Sequence, residues 1–339
     1  MKKVLYIIFG LALLASCEKE IDFKGEQTEP KLVINSKVEP GQPVSAAVGK
    51  SCFFLDEEMD RSMPSGAMAQ LYVNDNFISN MDLVIDSIEQ LYYTYNGDSI
   101  GYKIEKHFES DYRPQSGDIV KITASAPGFD DVEGSTSQLP KNTECSILDY
   151  KILEWEGYYV EDYMNEGDSA FYAYFSMELT IEITDPNPGQ TDFFMLHFVN
   201  GSRYDDMSNF VSCTAEYTDP VFGGSVSSSE ILDALEFDSS PENVFTDVLF
   251  DGRSYQIKLP LRMNYRRNSA GDPDLYRIPI PIEHLSKEYY KYLNTCEQNI
   301  DYMQFFSEPI QTYTNVTNGY GIVGGCASDT LWFDLPYGR

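Results

Sequence analysis

The most regular signal along the chain is a two-residue alternation of apolar and polar positions. In "DIVKITASA" (118–126), Val120, Ile122, Ala124 and Ala126 alternate with Lys121, Thr123 and Ser125, the period of a strand with one buried face. "KLVINSKV" (31–38) and "AMAQLYV" (67–73) repeat it. "EQLYYTYNGDSIGYKIE" (89–105) places Asn96-Gly97 between two such runs, and Asn-Gly accepts the positive φ of a tight hairpin turn. The longest run is "FYAYFSMELTIEI" (171–183). There Phe171, Ala173, Phe175, Met177, Leu179, Ile181 and Ile183 share one face, while Tyr172, Tyr174, Glu178, Thr180 and Glu182 share the other. The turn-rich "DPNPGQTD" (185–192) predicts a second hairpin into "FFMLHFV" (193–199), and Asp251-Gly252 predicts a third turn. One segment changes period: Tyr289, Leu293, Cys296, Ile300 and Met303 recur at helical spacing behind Ser286, an N-cap residue type.

These elements predict a mainly β fold of two β-sandwich-type domains with one substantial C-terminal helix at about 286–304. The first domain, immunoglobulin-like in size, spans 31–140 and closes at "APGFDDVEGSTSQLP", with Pro140 and the polar "KNTE" as its boundary. The second spans 141–339 and carries the helix.

The N-terminus has a different logic. Lys2 and Lys3 precede an apolar run, Val4 to Leu14, too short to cross a bilayer and suited to a secretory signal. "LASC", Leu14 to Cys17, resembles the lipobox of bacterial lipoproteins. It predicts a signal peptide over 1–16, Cys17 as the acylated first residue of the mature protein, and a flexible polar stalk over 17–30. Each buried CH₂ of an acyl chain contributes about 0.8 kcal/mol, so two or more chains make a stable tether.

Charge narrows the partners. The chain has 24 basic and 54 acidic residues, a net charge of −30. Loss of Lys2 and Lys3 leaves 22 against 54, or −32. Such a surface repels phosphate backbones and anionic head groups, which argues against a nucleic-acid ligand. Beyond Cys17 the five cysteines, Cys52, Cys145, Cys213, Cys296 and Cys326, form no CxxC pair. An oxidising compartment permits one or two disulfides, an odd count leaves at least one thiol free, and the sequence selects no pairing.

No catalytic constellation stands out. There is no GxSxG and no HExxH, and His107, His197 and His284 fall in three separate elements, so no catalytic residue is assigned and a non-enzymatic protein is expected. Hard oxygen ligands gathered in one loop suit calcium, and Asp185, Asn187 and Asp192 make such a set, with Asp272 and Asp274 in a second loop. Neither loop has EF-hand spacing, and the same residue types build ordinary turns. No other cofactor is expected. Tyr172 and Tyr174, on the side of their strand opposite the apolar face, are the candidate binding residues, since a tyrosine ring offers rigid area and a hydroxyl. Four Asp-Ser/Thr-aliphatic triplets, at Ser87, Ser99, Ser169 and Thr330, resemble the O-glycosylation acceptors of Bacteroidota.

Four stretches together resemble a known family: "CEKEIDF", "PKLVINSKVEPGQPVSAAV", "SGDIVKITASAPGF" and the closing "FSEPIQTYTNVTNGYGIVGG". They are similar to the Bacteroidota family called domain of unknown function 4249, over Cys17 to about Leu335. Cys326 departs from the pattern, because an aromatic more typically follows the Gly-Gly. The resemblance implies an outer-membrane lipoprotein encoded beside a TonB-dependent receptor; it supplies no catalytic or binding residue. The expected function is therefore a non-enzymatic, outer-membrane-anchored accessory of such a receptor in ligand capture or uptake. Two alternatives stay open: a surface glycan or peptide hydrolase using acidic residues, and a structural or adhesive spacer.

Overall fold

The computed structural model describes residues 29–52, 60–92, 99–161, 169–198, 210–222, 243–267, 277–298 and 312–334. The N-terminal strands are β1 (Leu32–Val38), β2 (Val44–Lys50), β3 (Met68–Val73), β4 (Asn76–Asn80), β5 (Asp82–Tyr92), β6 (Ser99–Ser110), β7 (Ile119–Ser125) and β8 (Val132–Gln138). They are followed by β9 (Cys145–Glu161), β10 (Ser169–Thr184), β11 (Phe193–Leu196), β12 (Phe210–Ala215), β13 (Val244–Thr246), β14 (Ser254–Arg267) and β15 (Arg277–Leu285). Helix α1 (Lys287–Gln298), β16 (Val316–Thr317) and β17 (Tyr320–Asp334) complete the described chain. Among the described residues the fold is mainly β with one α-helix, and no described helix is long and apolar enough to cross a membrane.

Alternation of side chains becomes alternation of burial. In β1, Leu32, Ile34 and Val38 are buried, and in β7 so are Val120, Ile122 and Ala124. The tight hairpin between β3 and β4 turns on Asn74 and Asp75, both at positive φ (50° and 62°), a conformation that Asn and Asp accept better than most residues. Strands β5 and β6 pair antiparallel from Asp82↔Glu109 to Tyr92↔Ser99, as the alternating runs around Asn96-Gly97 predict; the turn itself lies outside the described residues.

Three sheets result. A five-stranded sheet (β16-β8-β7-β3-β4) and a four-stranded sheet (β12-β14-β10-β9) flank an eight-stranded sheet ordered β13-β11-β15-β17-β1-β2-β6-β5. The five-stranded sheet packs on one half of the large sheet, where Leu71, Ile122 and Val132 meet Ile34, Val44 and Val323. The four-stranded sheet packs on the other half, where Met177, Leu179 and Leu259 meet Phe194, Ile280 and Phe333. Each fully buried Leu, Ile or Phe in these cores contributes about 1.5–3 kcal/mol by leaving water.

The sequence division at Pro140 is crossed by the last strands. Strand β17 pairs parallel with β1, from Val33↔Tyr320 to Val38↔Gly325, and β16 pairs with β8. Val316 and Val323 therefore fill the core of the N-terminal sandwich, while Phe333, at the far end of β17, fills the other.

The hairpin expected across residues 185–192 does not form. Strand β10 pairs with β9 and β14, whereas β11 pairs with β13 and β15 in the opposite sheet. The loop thus crosses the sandwich. The physical reason is burial on both sides of "FFML": Phe194 and Leu196 enter the sandwich core, and Phe193 packs beneath the helix. A strand apolar on both faces belongs inside a covered sheet. The turn at Asp251-Gly252 likewise belongs to a second crossing, from β13 through a 3-10 turn over Asp247–Leu249 to β14.

Helix α1 begins where its sequence predicts. The Tyr289 amide donates to Ser286 Oγ at 3.3 Å and the Tyr290 amide to the Ser286 carbonyl at 3.0 Å. Tyr289 and Leu293 of its apolar stripe pack toward Phe193 and Cys326. Ile300 and Met303, expected to continue it, lie outside the described residues.

Candidate functional site

Two crossings between the same pair of sheets bring their loops side by side. The β10–β11 loop contributes Asp185, Asn187 and Asp192; the β13–β14 connection contributes Asp247 and Asp251. Backbone amides stitch the two together. Gly252 N–H donates to Asp185 Oδ2 at 2.5 Å, Gly189 N–H to Asp251 Oδ1 at 2.7 Å, and Asp192 N–H to Asp247 Oδ1 at 3.1 Å. In return the Asp247 amide donates to the Asp192 carbonyl at 3.3 Å. Within the first loop the Asn187 amide donates to Asp185 Oδ1 at 2.7 Å, the side-chain-to-backbone bond that tightens such turns.

One oxygen from each of Asp185, Asp247 and Asp251 falls within 4.8 Å of the others. Asp185 and Asp247 are buried and Asp251 is exposed. Asp247 is the extreme case, at 1 % exposure, and its Oδ2 has no hydrogen-bond partner. Burial pushes the Asp247 carboxyl up to about 7; a backbone hydrogen bond at Asp192 opposes the shift, and the negative charge of Asp192, Asp185 and Asp251 adds to it. Among the described residues no Lys or Arg forms an ion pair with any of these three.

The Asp192 carboxylate has other partners. Its Oδ1 lies 3.2 Å from His284 Nε2, and Asn187 Nδ2 donates to both of its oxygens at 3.1 and 3.0 Å. His284 Nδ1 sits 2.8 Å from the Lys141 carbonyl, which can only accept, so Nδ1 carries a hydrogen. His284 is 3 % exposed, stacked against Phe194, and borders a cavity of about 460 Å³ that also touches Ser116, Ser137, Lys141 and Glu288.

The three residues expected to hold calcium within a single loop thus have different neighbours. Asp185 joins Asp247 and Asp251 from the other crossing, whereas Asn187 spends its amide on Asp192 and the Asp192 carboxylate serves His284. Local spacing contains Asp247 and Asp251 only as two more acidic residues, because their proximity to Asp185 is created by the pairing of two crossings. Asp272 and Asp274 lie outside the described residues.

The second candidate surface is the outer face of the four-stranded sheet. Tyr172 lies opposite Tyr158 of β9 and Arg266 of β14, while Tyr174 lies opposite Glu156 and Asn264. The Tyr158 and Tyr172 rings stack at 5.8 Å and 11°, and the Arg266 guanidinium sits 5.6 Å from the centre of the Tyr172 ring. Tyr158 is 41 % and Tyr174 49 % exposed. The expected pair Tyr172 and Tyr174 therefore belongs to a larger platform. Strand register, not local pattern, brings Tyr158 beside them.

Among the described residues β9 is also an edge of its sheet, and it exposes Leu148, Leu153 and Tyr159 beside Tyr158. Leu153 stands in a bulge, where Ile152↔Met177 gives way to Glu154↔Ser176.

The remaining expected positions are dispersed. Ser87 is exposed on β5 and Thr330 is half-buried on β17. Ser99 and Ser169 begin β6 and β10, and their side chains lie outside the described residues, as does Cys17. Cys213 and Cys326 are buried, Cys52, Cys145 and Cys296 half-buried, and no disulfide joins these five.

The segment "GYGIVGG" has a packing role. Gly321 lies against the Ile34 carbonyl, Gly324 under the Tyr289 ring and Gly325 against Leu139, each too close for a Cβ to enter without displacement. Cys326, next in line, is buried with its thiol directed at Glu39 Oε1, 3.4 Å away. No curated protein matches the chain. The profile of domain of unknown function DUF4249 matches residues 18–331, nearly the whole chain, and the protein belongs to that family.

Proposed function

We propose that the mature protein, tethered to the outer membrane through acylated Cys17, is a non-enzymatic accessory of a TonB-dependent receptor in ligand capture or uptake. The observation that carries this reading is the exposed aromatic and aliphatic surface along β9 and β10. A long edge strand that leaves Leu148, Leu153, Tyr158 and Tyr159 in solvent is a liability on an isolated domain and an asset on one that docks. Tyrosine and arginine are enriched at the centres of protein interfaces, and here they stand on a rigid sheet rather than a loop. The lipobox "LASC" and the family resemblance supply the membrane and the receptor.

A hydrolase working through acidic residues needs carboxyls open to a substrate. Asp247, the carboxyl held nearest to neutrality, is enclosed by two loops, which favours the accessory reading over the enzymatic one. A spacer would leave the tyrosine platform without a role.

The test is capture of the tagged, lipidated protein from native outer membranes in mild detergent at low salt, followed by mass spectrometry. A TonB-dependent barrel recovered in stoichiometric amount supports the reading, and that barrel's cargo names the ligand class. Recovery of the lipoprotein alone, both with and without crosslinking, overturns it in favour of the spacer.

A further inference from the structure

We propose that Asp185, Asp247 and Asp251 bind one calcium ion, which clamps the β10–β11 crossing to the β13–β14 crossing at one edge of the C-terminal sandwich. The inference is independent of the receptor reading and survives its failure.

The geometry suits an oxygen-ligated ion. Calcium holds its oxygens at about 2.3–2.6 Å, so ligands on opposite sides of one ion lie up to about 5 Å apart. The three carboxylate oxygens, all within 4.8 Å of one another, fit inside that span. The donor set is wholly carboxylate, with no thiol or imidazole. Hard cations choose such a set, and zinc and copper do not. His284, which meets the same loop at Asp192, is already engaged there and by the Lys141 carbonyl.

Burial points to the same occupant. A carboxylate oxygen at a 1 % exposed residue with no donor is among the costlier arrangements a fold can keep. Asp247 Oδ2 is such an oxygen, and an oxygen of the same carboxyl group lies within 4.8 Å of two further acids. A divalent cation satisfies the orphaned oxygen and cancels most of the mutual repulsion at once. The competing occupant is a proton on Asp247.

The architecture also explains the residues around the trio. Asp185 is held on both oxygens by backbone amides, from Asn187 and Gly252, and Asp251 by the Gly189 amide. These bonds orient the carboxylates and leave each oxygen a further lone pair for an ion. Exposed Asp251 forms the solvent side, where an ion enters and water completes its shell. The clamped loop carries Asp192, so the ion also fixes the carboxylate that faces His284 beside the 460 Å³ cavity.

The experiment uses the full mature chain, stripped with a chelator at pH 8, then titrated with calcium chloride while thermal unfolding and heat of binding are followed. One calcium per chain is expected, with the midpoint of unfolding rising by about 4 °C at a hundredfold excess over Kd. Asp251→Asn, at an exposed position, and Asp247→Asn each abolish the calcium-dependent part of that rise. Should Asp247→Asn fail to fold, Asp251→Asn carries the test. A rise that persists undiminished in the variants places the ion elsewhere and overturns the site. No response to any divalent ion overturns it in favour of a proton on Asp247. A response to magnesium chloride alone overturns the choice of calcium.

Discussion

The α-carbon of Gly321 is pressed against the carbonyl oxygen of Ile34, at the point where the last strand of the chain pairs parallel with the first. Gly321 holds φ at +104°, and a Cβ built there falls far inside the van der Waals contact distance to the Ile34 oxygen. Two penalties coincide, one conformational and one steric. Gly117 isolates the first: its φ is +89° and nothing lies within 4 Å of an added Cβ. Gly117→Ala is expected to cost about 1–2 kcal/mol and Gly321→Ala about 3 kcal/mol or more, measured by denaturant unfolding. Equal losses would mean that β1 and β17 separate freely.

Asp192 and His284 are both buried and lie 3.2 Å apart, so removing either leaves the other short of a partner. His284→Phe keeps the ring stacked near Phe194 but deletes both nitrogens, stranding the Lys141 carbonyl and one lone pair of Asp192. A loss of about 2–4 kcal/mol is expected. A double-mutant cycle with Asp192→Asn should give a coupling of about 1–3 kcal/mol; simple additivity would show that the 3.2 Å contact carries no energy.

The tyrosine platform should separate binding from folding. Tyr158 and Tyr174 are half-exposed, so Tyr158→Ala with Tyr174→Ala is expected to move the thermal midpoint by only a few degrees. Recovery of the receptor in the membrane capture experiment should fall at least tenfold, the equivalent of about 1.4 kcal/mol. Undiminished recovery would move the docking surface off this face.

Burial pushes the Cys213 thiol up to about 12, and burial with the Asp329 charge does the same for Cys145. The nucleophile is the thiolate, so both should resist iodoacetamide at pH 8 in the native protein and react once urea unfolds it, read by peptide mass. The sign for stability follows. An unfolded thiol ionises near 9.0 and these ionise near 12, so unfolding releases their protons between those values. Native stability is therefore lost as pH rises above about 9. Rapid native alkylation of Cys213 would contradict its burial.

Much of the architecture was legible in the chain because strands and helices write their burial at a fixed local period. The alternation of 118–126 became β7, that of 171–183 became the core face of β10, and Ser286 capped the helix whose Tyr289 and Leu293 it precedes. The family segment "GYGIVGG" was legible as a pattern, and its reason emerged from contact with Ile34, Tyr289 and Leu139. Tyr172 and Tyr174 were assigned to the outer face by period alone.

Period cannot say which strand lies beside which. A loop rich in Asp, Pro and Gly reads the same whether it returns a hairpin or crosses a sandwich, and only the two buried faces of "FFML" in a covered sheet decided for crossing. The meeting of Asp185 with Asp247 and Asp251, of Asp192 with His284, and of Ile34 with Gly321 joins residues far apart in the chain. The amino-acid sequence determined the described strands and helix and the chemistry available to each. Tertiary structure decided which of 54 acidic residues would be buried together, because pairing and sheet packing depend on long-range complementarity that no local window contains.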